Sequence, residues 1–126
     1  MEFKASKGIF LQIADNLCNQ ILTKQLKQGE RVVSVRDLAA ELEVNRNTVM
    51  RTYTFLQDEG IIQNKRGIGY FVADDAVELI NIKAKDEFFE NELPAFIKKV
   101  RLLKLNSKDL SKLLSEINNN DHHENK

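Results

Sequence analysis

The sequence has very little of several things: one proline, one cysteine, no tryptophan and only two histidines. A lone thiol, Cys18, cannot close an internal disulfide. The two histidines, His122 and His123, sit side by side near the C-terminus, so a Cys/His cage of the zinc-finger kind cannot be assembled and no metal is expected. No run approaches the roughly 18 to 20 apolar residues that a membrane span requires, and the N-terminus lacks the basic flank and apolar core of a signal peptide. The expectation is a soluble, cytoplasmic protein with no membrane partner. Charge of one sign is lacking as well, with 19 Lys+Arg against 19 Asp+Glu. Residues 1–73 carry 10 basic and 8 acidic residues, and the rest reverses the balance. This leaves room for a small basic face, with its counter-charges elsewhere. There is no glycine-rich phosphate loop, no histidine on a segment expected to be structured and no carboxylate pair framed by a pocket, so neither an enzyme nor a cofactor is expected.

With 126 residues there is room for one domain and an appendage. From Phe10 to Leu26, Ile13, Ala14, Leu17, Ile21 and Leu22 recur at helical spacing between polar residues, and Gly29 reads as the terminator. Cys18 borders that apolar face and is expected to be a small buried thiol. Ser34 followed by Asp37 is close to a capping box and starts a short helix with Leu38, Ala39 and Leu42 on one face. Asn45 is a good N-cap for a third helix from about Arg46 to Glu59, ended by Gly60. Two short helices joined by a tight turn are a helix-turn-helix. Beyond Gly60 the period becomes extended. Ile61–Asn64 and Gly69–Ala73 flank Lys65-Arg66-Gly67-Ile68, which reads as a hairpin, and the whole order is that of a winged helix-turn-helix.

After Asp74-Asp75 an apolar stripe runs from Val77 to Leu103, interrupted at Pro94, where a kink or break is expected. Ser107 can cap a last helix carrying Leu110, Leu113, Leu114 and Ile117. Residues 118–126 are polar and are expected to form a disordered tail. The fold class is therefore α+β and mostly helical. Its expected domains are residues 1–75, a winged helix-turn-helix, and residues 76–117, a helical segment.

On the third helix, steps of 100° place Val49, Thr52, Tyr53 and Leu56 toward the core. Asn47, Arg51, Thr54 and Asp58 face the other way, with Thr48 on the flank and Arg46 at the start. Arginine can bridge guanine O6 and N7, and asparagine adenine N6 and N7, so this face has the donors and acceptors that a major groove reads. Lys65, Arg66 and Gly67 supply a cationic hairpin tip whose glycine lets backbone approach a phosphate or a minor groove. A winged-helix module for protein or RNA remains the alternative, because fold does not fix function.

The residues from Ser34 to Tyr53, with Leu56, Glu59-Gly60-Ile61-Ile62 and Arg66 to Val72, resemble the DNA-binding domain of bacterial GntR-family transcription regulators. The short helical C-terminal segment resembles that of the YtrA-type subgroup. The resemblance implies a sequence-specific regulator of double-stranded DNA, most often a repressor, that forms a homodimer through a C-terminal helical hairpin. It gives Arg36, Asn45, Arg46, Asn47 and Thr48 roles at DNA, and Arg66 and Gly67 the wing tip. Two departures stand out. Met50 occupies a position where many relatives outside this subgroup carry arginine, with Arg51 next to it, and Val33 stands where proline is usual. The apolar inventory agrees with a dimer, since two helices alone cannot hide so many large side chains. Phe88, Phe89, Leu93, Phe96 and Ile97 are the expected seam, continued by Val100, Leu103, Leu110, Leu113 and Leu114. The effector is not legible.

Overall fold

A computed structural model describes residues 7–124, with side chains through residue 119. The chain divides into two compact units, Met1–Ala84 and Lys85–Lys126.

The first unit holds α1 (Ile9–Leu22), α2 (Val35–Leu42), α3 (Arg46–Asp58), β1 (Ile62–Lys65), β2 (Gly69–Val72) and most of α4 (Ala76–Glu87). Its core gathers Ile13, Ala14, Leu17 and Ile21 from α1 with Val49, Tyr53 and Leu56 from α3, closed by Val32, Leu38, Ile62 and Val72. Every α3 residue expected to face inward is buried, Thr52 included. The Thr52 hydroxyl lies 2.9 Å from the Phe10 carbonyl and 3.0 Å from that of Thr48, so the buried polar group is satisfied while tying α3 to the start of α1. Tyr53 donates its hydroxyl to the Val33 carbonyl at 2.5 Å, pinning the loop before α2.

Two boundaries differ from the sequence reading. Helix α1 ends at Leu22, not near Leu26, because Lys24 takes a left-handed conformation (φ 64°) and a Schellman-type pair of bonds forms, Gln25 N to Gln20 O and Lys24 N to Ile21 O. Gly29 does not terminate α1; its N–H donates to the Val72 carbonyl. Leu22 is consequently more than a third exposed rather than in the core. Further along, Ala76 and Ile80 are buried in the first unit's core, and Lys83 pairs with Glu59 at the end of α3. The boundary expected after Asp75 thus falls inside the first unit.

The second unit continues from α4 through a π-helical turn, Phe88–Glu92, into α5 (Leu93–Leu102), followed by α6 (Ser107–Glu124). Pro94 does not break the helix: it lies in the first turn of α5, and the wider π turn before it takes up the missing donor and the crowding against the Glu90 carbonyl. Helix α6 reaches Glu124, so residues 118–124 are helical and not a disordered tail. Once a helix is nucleated, each added Asn, Asp or His costs only about 0.7 kcal/mol or less relative to alanine. Helical backbone therefore carries His122 and His123, whose side chains lie outside the described residues, as do Asn125 and Lys126 altogether. No helix among the described residues is long and apolar enough to cross a membrane.

Candidate nucleic-acid interface

Two caps fix the helix-turn-helix. Ser34 accepts the Asp37 N–H at 3.1 Å and opens α2, while Asn45 accepts the Asn47 N–H at 2.7 Å and opens α3. Between them the chain reverses at Glu43, held left-handed at φ 55°. Asn45 therefore has a structural task as well as its expected one, since its carbonyl oxygen serves the cap and only its amide remains to face a ligand. Arg36 leaves the first turn of α2, and Arg46, Asn47 and Arg51 leave the first turns of α3; all four are exposed, with Thr48 half-buried.

Arg51 is not a free-swinging cation. Its guanidinium carbon sits 3.9 Å from the centre of the Phe10 ring, a cation–π stack that holds it against the start of α1. An open hollow lined by Phe10, Asn47, Met50, Arg51, Thr54 and Asp58 continues this face along α3.

The wing is an antiparallel hairpin with Ile62 opposite Val72 and Lys65 opposite Gly69. Lys65 is thus the last paired residue of β1, not part of the turn, and its ammonium rests 4.5 Å from the centre of the Phe71 ring. The turn itself is Arg66-Gly67-Ile68, closed by Ile68 N to Lys65 O at 2.9 Å. Gly67 has φ 80°, the positive value that the third position of a type II turn requires. On the other edge of β2, Glu30–Val32 adds a short pairing: Val32 N donates to Tyr70 O, and Val72 N to Glu30 O. This brings in Arg31, which the sequence reading missed. Its guanidinium lies over Gly69, with Nε 2.9 Å from where a Cβ would stand, so Gly69 is the space Arg31 occupies. The signal was a glycine two residues after the turn glycine, but its partner is 38 positions upstream and no local pattern names it.

The arrangement is one of exposed arginines, a lysine and amides on α2, α3 and a hairpin, all donors to phosphate or base edges. The first unit shows no group of His, Cys, Asp or Glu suited to a metal among the described residues. Cys18 is half-buried, and burial, with Asp15 adding to it, pushes its thiol up to about 11, so it remains a protonated packing group.

Residues 10–72, the helix-turn-helix and wing just described, match the model of the gntR family of bacterial regulatory proteins. The chain belongs to the GntR family. It is 36% identical over 109 residues to the HTH-type transcriptional regulator YhcF of Bacillus subtilis, a match covering 86% of this chain and 88% of YhcF. It is also 36% identical over 73 residues to the HTH-type transcriptional repressor YtrA of the same organism, covering 58% of this chain and 56% of YtrA. A crystal structure of a GntR-family regulator from Bacteroides thetaiotaomicron, 39% identical, superposes with a TM-score of 0.76 over 90% of this chain and 99% of the other. The fold class expected from the sequence, mostly helical with a small antiparallel wing, is that of this GntR-family structure. The protein is a transcription regulator with a DNA-binding helix-turn-helix, and its family acts by binding DNA and not by catalysis.

Proposed function

We propose that this GntR-family regulator is a homodimeric, sequence-specific repressor that occupies an inverted-repeat operator. One observation supports the assembly more than any other: no described residue of the second unit is buried. Phe89 is 60% exposed, Phe96 51%, Leu103 61% and Leu114 60%. Phe88, Ile97, Leu110 and Leu113 are exposed as well, and Leu93 and Val100 are half-buried. Large apolar side chains in such density do not remain in water, because each contributes about 1.5 to 3 kcal/mol when fully buried. A second copy presents the same surface and can cover it around a twofold axis. Leu102, at 72%, extends the apolar surface beyond the seam expected from the stripe.

A twofold pair carries two copies of α3 to two half-sites, the arrangement a palindromic operator mirrors. In this reading Asn47, Thr48 and Arg51 reach base edges, Arg36 and Arg46 anchor the α2 and α3 starts on the backbone, and Lys65, Arg66 and Gly67 approach the adjacent phosphates or minor groove. Asn45 offers its amide nearby. Repression follows from occupancy, since a bound dimer excludes polymerase from the same duplex. The name of the relative YtrA, a transcriptional repressor, is in keeping with that sign.

The test is a mobility shift on duplexes selected from a random pool, run with sedimentation of the full chain. A dimer whose affinity for the selected duplex falls steeply with salt is expected. A monomer, or a protein that binds every duplex alike, would refute the proposal.

A further inference from the structure

Met50, one of the two departures from the family pattern, stands on the exposed side of α3 between Asn47 and Arg51. It is 44% exposed, although a methionine one turn away from a packed core could easily fold back onto it. Its sulfur is met by the wing. The Tyr70 hydroxyl donates to the Met50 Sδ at 3.8 Å, and the Tyr70 ring packs edge-on against Tyr53 at 5.0 Å between centres. Tyr53 in turn is fully buried and tied by its own hydroxyl to the Val33 carbonyl. A rigid aromatic pair therefore holds the thioether at the rim of the reading face, while Arg51 on its other side is held by Phe10.

An apolar, polarisable side chain fixed among amides and guanidinium groups has one natural partner in a major groove. Guanine, cytosine and adenine present only donors and acceptors there, whereas thymine adds the C5-methyl group. We propose that Met50 is a specificity-determining residue that reads a thymine methyl in each half-site. This rests on the DNA-reading function proposed above and assigns one base within it. Tyr70 acts as a positioning residue, orienting Met50 without touching DNA.

The probe is a duplex selected by the wild-type protein from a random pool, resynthesised with deoxyuridine in place of each thymidine in turn. Uracil pairs as thymine does but lacks the methyl. At one symmetry-related position, wild-type binding should weaken about fourfold per half-site, the value of one buried methyl. Met50→Ala should bind the thymidine duplex more weakly and show no further loss on the deoxyuridine one. Met50→Leu removes the sulfur and Tyr70→Phe the hydroxyl of the same contact, so each should reduce the discrimination without abolishing it; thermal melts of all three would verify that the substitutions leave the fold intact. If no position gives a methyl effect that Met50→Ala removes, Met50 is not a thymine reader, even though sequence-specific binding stands. If the wild type selects no sequence at all, the DNA-reading function fails and this assignment goes with it.

Discussion

In the first unit Ile13, Tyr53 and Leu56 are hidden almost completely, while in the second Phe89, Leu103 and Leu114 stand more than half open. The residue types are comparable, and so are the helices that carry them. The difference is connectivity. The first unit has a hairpin, a helix-turn-helix and α1 to close around one core, and its longest-range links, such as Thr52 to Phe10, are made within one chain. The second has two helices and a π turn, too few surfaces to enclose anything. Apolar surface in the first unit is thus a folding device, and in the second it is the surface that the proposed dimer would cover.

The sharpest way to break that contrast is to remove the same kind of atom from each side. Leu56→Ala, at a fully buried site, should cost about 2 to 5 kcal/mol of unfolding free energy through lost transfer energy and a cavity. The urea midpoint should fall by a corresponding amount whatever the protein concentration. Leu114→Ala, 60% exposed in one chain, should show a loss that shrinks on dilution as dimers dissociate. Equal, concentration-independent losses at the two sites would mean that the second unit is stabilised within its own chain.

Next in size is the effect of assembly on binding. If one reading domain binds its half-site at about 10⁻⁵ M and dimerisation supplies an effective concentration near 10⁻³ M, the pair binds at about 10⁻⁷ M, a hundredfold gain. Phe96→Asp puts a charge into the proposed seam and should lose about that factor while the first unit still melts cooperatively. Removing the second unit is a cleaner version, provided the cut respects the core. A chain ending at Ala84 should be a folded monomer, whereas one ending at Asp75 also discards Ala76 and Ile80 and should be markedly less stable. Sedimentation of the Ala84 form as a dimer with undiminished affinity would assign the C-terminal helices another purpose.

What sequence can and cannot reveal follows the same line between the units. Helix existence, the caps at Ser34 and Asn45 and the inward face of α3 are all legible, because each depends on residues within a turn or two. The end of α1 is not, since a lysine at φ 64° carries no compositional mark. Nor is the membership of Ile80 in the first core, or the seat of Arg31 over Gly69, because both are set by contacts across distant parts of the chain. In the second unit the stripe is plainly apolar in sequence, and of the kink or break expected at Pro94 the break does not occur, because helical backbone runs on through the π turn.

Within the first unit, base reading and backbone contact should separate. Asn47→Ala is expected to lose about 1 to 3 kcal/mol on the selected duplex and little on random DNA. Lys65→Ala should weaken both and flatten the dependence of log affinity on log salt by about one unit per protomer. Parallel losses for Asn47→Ala on the two duplexes would move that residue from base edge to backbone.

The smallest expected effect lies at Asn45, where a structural and a proposed functional role share one side chain. Its oxygen caps α3 by accepting the Asn47 N–H, so Asn45→Ala should cost about 1 kcal/mol of stability, within a range of roughly 0.5 to 2. Serine caps as well as asparagine does but has no amide to offer, which makes Asn45→Ser the discriminating variant. It should melt like the wild type. If the amide reaches DNA, Asn45→Ser will still bind the operator a few-fold more weakly, with the deficit independent of temperature well below the melting transition. If it binds as the wild type does, Asn45 serves only to aim α3, and the polar contacts of that helix begin at Arg46.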